Sequence, residues 1–402
     1  MEPQLSIRNA TVFDGHENNL KGPFDIILAK GRIAEVGRNL ISQNAENVID
    51  AKGKTVMPGL IDAHFHAYAT DLDFTRIDNQ PMSYLAHPAR ELMENALKRG
   101  FTTVRDVAGA EYGLWKAIEE RLFQAPRLFY GGKGLSQTGG HGDNRMQSIE
   151  PCNCTASSHL TRVVDGVDAV RKAVREELRR GAHHIKVFVS GGISTPSDPI
   201  WGLQYSMNEL EAIVDEAHRR RTYVVAHAYT AEAIKRAVIA GVRTIEHGNL
   251  IDEEAAGLMA EKGVYLVPTL VTYEAIAQHG KTHAAPESML AKLQEVREAG
   301  VQAIDICRKA GVKIGFGTDL LGELHEYQLD ELMIRQKIDT PFDTLHSATA
   351  INAEIIGMKD KLGCIRKEAY ADLLIIEGNP LNDISILANS DTKIVIKDGV
   401  RI

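Results

Sequence analysis

The sequence predicts an α/β chain: a (β/α)8 barrel of the TIM type with a small β-sandwich domain built from both termini. Two observations carry this. Through the middle of the chain, a unit of amphipathic helix, glycine and short β-branched run recurs. The two ends read instead as short strands between turn signals.

In chain order, LSIRNATVFDG, DIILAKGRIAEVG and ENVIDAKGKTVM are the N-terminal strands. Residues 56–66 then supply the first barrel strand. ENALKRG-FTTVRDV gives the second, and RLFYGGKG (127–134) the third. REELRRG-AHHIKVFV, DEAHRRR-TYVVAH, KRAVIAG-VRTIEH, AGLMAEKG-VYLVPTL and CRKAG-VKIGFGTD complete eight strands. Only the Arg221 instance lacks the glycine. Near-continuous apolar strands alternating with helices imply a parallel sheet covered on its outer face. Eight of them imply a closed barrel; a doubly wound open sheet is the alternative. ADLLIIEGNPLNDISI and TKIVIKDGVRI return to the β-rich pattern. The expected boundaries are 1–57 and 359–402 for the small domain and 58–358 for the barrel.

Composition excludes several classes. With 402 residues, 44% hydrophobic and 25% charged, the chain has a globular balance. No apolar run reaches the roughly 18 residues of a membrane helix, and the N-terminus resembles no signal peptide. A net charge of −8 argues against nucleic acid or an anionic membrane as partner. Four cysteines are too few for a disulfide framework, so a reducing cytoplasm is the expected location. The Cys152/Cys154 pair, with no second pair nearby, reads as a loop rather than a zinc site. GKT at 53–55 lacks the first glycine of a phosphate-binding loop, since Val48 stands there.

Chemistry in such a barrel sits at the C-terminal strand ends. Strand one ends in His64 and His66, strand four carries Lys186, and strands five, six and eight end in His227, His247 and Asp319. Alternation turns His64 and His66 to one face and Phe65 to the other. Any one of these residues alone could be a hydrogen-bonded core group or a cap. Six in the same phase of a repeated unit point instead to a site for Zn2+ or a similar divalent ion. An unmodified Lys186 ammonium would be repelled by cations. Burial favours the neutral amine, which can take up CO2 as a carbamate whose two oxygens bridge two ions.

At this point the chain resembles the amidohydrolase superfamily. PGLIDAHFH is similar to its first-strand signature, and HHIKVF, VVAHA, TIEHG, FGTD and LGCIRKEAYADLLIIEGNPL match its later landmarks. The resemblance implies a binuclear site: His64, His66 and Asp319 on one ion, His227 and His247 on the other, and carboxylated Lys186 between them. Within the superfamily, TGGHGDNR (138–145), GGISTPSDP (191–199) and AHAYT (226–230) resemble the imidazolonepropionase-related branch that includes Xaa-Pro dipeptidases (prolidases).

The implied activity is hydrolysis of dipeptides, Xaa-Pro above all, or of N-acyl amino acids through a metal-bridging hydroxide. Asp319 would be the proton shuttle, and His141 and Tyr229 would contact the scissile carbonyl or the substrate carboxylate. Arg105, Arg145 and His325 lie on strand-end segments and are the candidates for reading that carboxylate. The expected partner is a small-molecule substrate, and homo-oligomers are common in the superfamily. Competing readings are a cyclic-amide hydrolase acting on an imidazolone-like ring, a mononuclear deaminase, which Lys186 argues against, and a non-catalytic binding protein of the same fold.

Overall fold

A computed structural model describes residues 5–40, 47–145, 158–195, 197–389 and 393–402. Cys152 and Cys154 lie outside the described residues. Strands β1 (Leu5–Val12), β2 (Lys21–Ala29), β3 (Arg32–Gly37), β4 (Asn47–Asp50) and β5 (Thr55–Pro58) come first. The central strands are β6 (Leu60–Phe65), β7 (Phe101–Asp106), β8 (Arg127–Tyr130), β9 (Gly134–Ser136), β10 (Thr161–Val163), β11 (Ile185–Phe188), β12 (Val224–Thr230), β13 (Thr244–Leu250) and β14 (Tyr265–Val267). The last are β15 (Leu373–Ile376), β16 (Ile394–Lys397) and β17 (Val400–Arg401).

The two chain ends share one mixed sheet in the order β17-β16-β15-β5-β1-β2-β3, with β4 added beside β1. β15 pairs antiparallel with β5, so the last strands return to the first ones. Alternate side chains of these strands, including Ile7, Ile26, Leu28, Val56 and Leu373, form a core of their own. The crossing into the barrel falls at Gly59. A Cβ there would lie 2.2 Å from the Thr102 hydroxyl, so only glycine lets the chain pass β7 this closely.

The barrel is parallel throughout. β6-β7-β8 form one ladder and β10-β9-β11-β12-β13-β14 the other. His183 N donates to Tyr130 O at 2.8 Å, which joins the first ladder to β11. The circle closes where Leu266 pairs with Ile314 and Ala63 N donates to Phe316 O at 2.9 Å. Eight strand positions result, as the repeat predicts.

Two strands differ from the sequence reading. The third, expected as one run over 127–134, is split into β8 and β9. A Cβ at Gly131 would lie 2.6 Å from Val107 O, and Gly132 has φ +70°, so the glycines turn the chain between them. The eighth is almost without a ladder. Instead the Asn352 amide bonds Phe316 N and O and Ile61 O at 2.6–3.0 Å, supplying the missing sheet partners.

Helix ends follow the glycine signal. Gly241, Gly263 and Gly311 take left-handed conformations at the ends of their helices. Where the glycine is missing, Arg221 itself adopts φ 55°. Among the described residues no helix is long and apolar enough to cross a membrane.

Candidate active site

The six expected ligands come from five different strand ends and line one cavity. Asp319 Oδ1 lies 3.1 Å from His66 Nε2 and 3.4 Å from His64 Nε2, and one ligand atom from each of the three falls within 4.8 Å of the others. The His247 ring stands 4.9 Å from that of His64 and 4.7 Å from that of His227, between centroids. Two backbone positions are strained to achieve this. His247 has φ 71° and Asp319 φ 53°, a region that side-chain-bearing residues occupy at a cost of about 1–2 kcal/mol. Strict strand alternation would send Glu246 and His247 to opposite faces. The turn at His247 lets both serve the barrel interior.

Hydrogen bonds fix which nitrogen of each ring is free. His66 Nδ1 meets Ala108 O at 2.8 Å, and His64 Nδ1 meets Glu246 Oε2 at 2.6 Å, so both present Nε2. His247 Nδ1 meets the Thr269 hydroxyl at 2.8 Å, which also directs Nε2 inward. His227 is reversed: its Nε2 donates to Gly191 O at 3.1 Å and leaves Nδ1 free. Burial holds His227 and His247 well below the ordinary imidazole range, so they are neutral donors. Burial pushes the Asp319 carboxyl up, but His64 and His66 outweigh it and keep it ionised.

Lys186 is fully enclosed, and burial lowers its ammonium to about 8. Its Nζ stands 5.4 Å from the Phe188 ring centre and meets no hydrogen-bond acceptor among the described residues. A buried amine without an acceptor, beside four imidazoles and a carboxylate, fits a divalent-ion centre with nitrogen and oxygen ligands.

Beneath the ligands lies a partner the sequence reading missed. Glu246 takes Arg105 Nη2 at 2.9 and 3.0 Å on its two oxygens while also holding His64. Burial alone would protonate this carboxyl; Arg105 and His64 keep it ionised. Its only sequence signal is its place beside His247 in TIEHG. Asp62, the aspartate of PGLIDAHFH, was also unassigned. It accepts from His64 N at 3.0 Å, the Thr318 hydroxyl at 2.6 Å and Gln328 Nε2 at 2.9 Å, pinning β6 to the Asp319 turn.

The three carboxylate-reader candidates do not line the cavity. Arg105 is committed to Glu246, to the Thr244 hydroxyl and to Ala63 O below the site. Arg145 is paired with Asp143 at 2.6 and 2.7 Å. His325 is packed behind His66, its ring 4.8 Å from that of Phe65, and burial lowers it to about 3. Arg105 and His325 follow from tertiary neighbours that a strand-end position does not specify, whereas Arg145 is held locally by Asp143, two positions away.

His141 and Tyr229 do line the cavity. The His141 ring stacks on His227 at 4.4 Å, with Asp198 Oδ2 3.2 Å from Nδ1 and the Ser194 hydroxyl 3.1 Å from Nε2. The Tyr229 hydroxyl is 3.1 Å from that of Tyr273. Phe74, Leu160, Ile193, Ile276, Met289 and Leu321 also line the cavity and give it an apolar wall. The cavity thus combines the polar strand-end groups with an apolar lining, a combination that holds an apolar group beside a reacting polar bond.

The amidohydrolase family's sequence profile matches residues 55–402. An ochratoxinase of Aspergillus niger is 35% identical over 347 residues, covering 82% of this chain and 72% of that protein. A crystal structure of a prolidase complexed with N-methylphosphonate-L-proline is 45% identical, with a TM-score of 0.96 over 99% of each chain. A Xaa-Pro dipeptidase structure with methionine bound in its active site is 32% identical, with a TM-score of 0.88 over 99% of each chain.

Proposed function

The chain belongs to the amidohydrolase family, and on that footing we propose that it is a cytoplasmic dipeptidase or carboxypeptidase-like enzyme. It releases the C-terminal residue from Xaa-Pro dipeptides and N-acyl amino acids. One observation carries the reading: all six ligand-type residues, His141, Tyr229 and an apolar wall share a single cavity. The likeness to prolidase and Xaa-Pro dipeptidase structures over nearly the whole chain supports the substrate class. The ochratoxinase relationship supports a wider range of amides.

His64, His66 and Asp319 would hold one zinc ion and His227 and His247 a second, with the carbamate of Lys186 shared by both. The neutral Lys186 amine forms a bond to the carbon of CO2 and loses a proton to water. Ions held there would supply Lewis-acid polarisation of the amide carbonyl and activation of water. The chain's own groups do the rest. Asp319 accepts the proton of the attacking water and passes it to the departing nitrogen, which for proline is a secondary amine. His141 and Tyr229 donate to the developing oxyanion or to the substrate carboxylate. The apolar wall takes the apolar side chain or acyl group.

One observation favours a second reading. No arginine lines the cavity among the described residues, so a neutral cyclic amide is the rival substrate. Amino-acid release from dipeptides and N-acyl amino acids by zinc-reconstituted protein separates the two. Release confined to Xaa-Pro and related substrates supports the dipeptidase. No release from any member, with metal bound, favours the cyclic amide.

A further inference from the structure

Lys292 lies on the helix Glu287–Val296, outside the barrel and away from every expected ligand in sequence. Its Nζ donates to the carbonyl oxygens of Gly192 at 3.0 Å and Thr195 at 2.7 Å and to that of Asp198, and it lies 3.3 Å from Asp198 Oδ1. An ammonium has three protons, and three carbonyls take them. Without a cation, four oxygens aimed at one point would repel each other.

Each of the three residues gripped in this way touches His141. Asp198 Oδ2 meets His141 Nδ1 at 3.2 Å, and the Thr195 hydroxyl donates to His141 O. Gly192 lies against the imidazole so closely that a Cβ would sit 2.2 Å from Cε1. Gly192 N also donates to Asp198 Oδ2 at 3.0 Å, which ties the three together. Ser194, inside the same turn, faces Nε2 at 3.1 Å. Gly192, Ser194, Thr195 and Asp198 therefore cradle one ring, and the lysine is what gathers them.

We propose that Lys292 is a positioning residue: by gathering the carbonyls of residues 192, 195 and 198 it sets the place of His141 and Ser194 as the edge of the cavity that reads the substrate's anionic group. This rests on the reading of His141 as a substrate contact. A lysine serving only to dock its helix would support the fold without any special relation to His141.

The test is a double-mutant cycle on zinc-reconstituted protein with an Xaa-Pro dipeptide. Lys292→Met should lower kcat/KM by about 10- to 100-fold, carried by KM, with metal content unchanged. In a His141→Ala background the same substitution should have almost no further effect. Lys292→Gln, which keeps donors without the charge, should fall between wild type and Lys292→Met, and it covers the case in which the methionine variant fails to fold. Losses that multiply across the cycle, or a fall in kcat with KM unmoved, overturn the proposal. Hydrogen exchange gives a readout without substrate. Amides of residues 137–145 and 188–195 should exchange faster in either lysine variant, and unchanged exchange overturns the proposal. If wild type cleaves no dipeptide but the exchange difference is present, the substrate reading fails and the lysine's role stands.

Discussion

The Glu246 carboxylate lies 2.6 Å from Nδ1 of His64, and the same group takes the Arg105 guanidinium on both oxygens. All three side chains are buried. The pair below His64 thus fixes both its tautomer and its ring angle. Glu246→Gln keeps the shape but removes the carboxylate charge that meets His64 Nδ1. Metal affinity should fall about 10- to 100-fold, measured by chelator competition. Affinity equal to wild type would mean that His64 needs no such partner.

Lys186 is expected to act as its carbamate. Its amine, lowered by burial to about 8, is increasingly neutral as pH rises through that value. Reconstitution with zinc and bicarbonate should therefore be more complete above pH ~8 than well below it. Lys186→Ala should hold less metal and lose about 100-fold or more in kcat/KM. Metal content and turnover that ignore both bicarbonate and the substitution would exclude the carbamate.

In the proposed mechanism Asp319 joins the ligand role to proton transfer. Asp319→Asn keeps an oxygen donor but cannot carry the proton. The expected loss is about 100- to 10,000-fold in kcat with most metal retained, read by stopped assay beside metal analysis. Turnover near wild type would assign the shuttle elsewhere.

Glu331 offers a pH signature away from the ligands. Its Oε2 accepts from Val271 N at 2.6 Å, its Oε1 has no hydrogen-bond partner among the described residues, and burial raises it from 4.5 to about 8. The folded chain keeps this proton where the unfolded chain has lost it. Its contribution to stability is therefore intact below about pH 4.5, declines between 4.5 and 8, and is gone above. Glu331→Gln should flatten that decline and stabilise the protein at pH ~8.5 by on the order of 2 kcal/mol. Urea unfolding at two pH values measures this, and parallel shifts in both proteins would refute it.

Arg221 stands where the other repeats place glycine, and its left-handed backbone is unfavourable for a side-chain-bearing residue. Arg221→Gly should stabilise by about 0.5–1 kcal/mol, seen as a small rise in Tm with activity unchanged. A fall in Tm would mean that the arginine side chain contributes contacts exceeding the backbone strain.

The repeat of helix, glycine and β-branched run was enough to specify the barrel, because its signals are local: period, capping and turn chemistry. The strand phase likewise brought His64, His66, Lys186, His227, His247 and Asp319 to one cavity, since a strand end in a closed barrel has only one place to point. Tertiary structure alone decided the partners of those residues. Arg105 is 141 positions from Glu246, and Lys292 is 94 from Asp198. Such pairs depend on barrel closure and on which helix covers which turn. For that reason Arg105 and His325 could not be told in sequence from cavity residues, yet both are held by distant neighbours away from the cavity lining, while Arg145 is paired locally with Asp143.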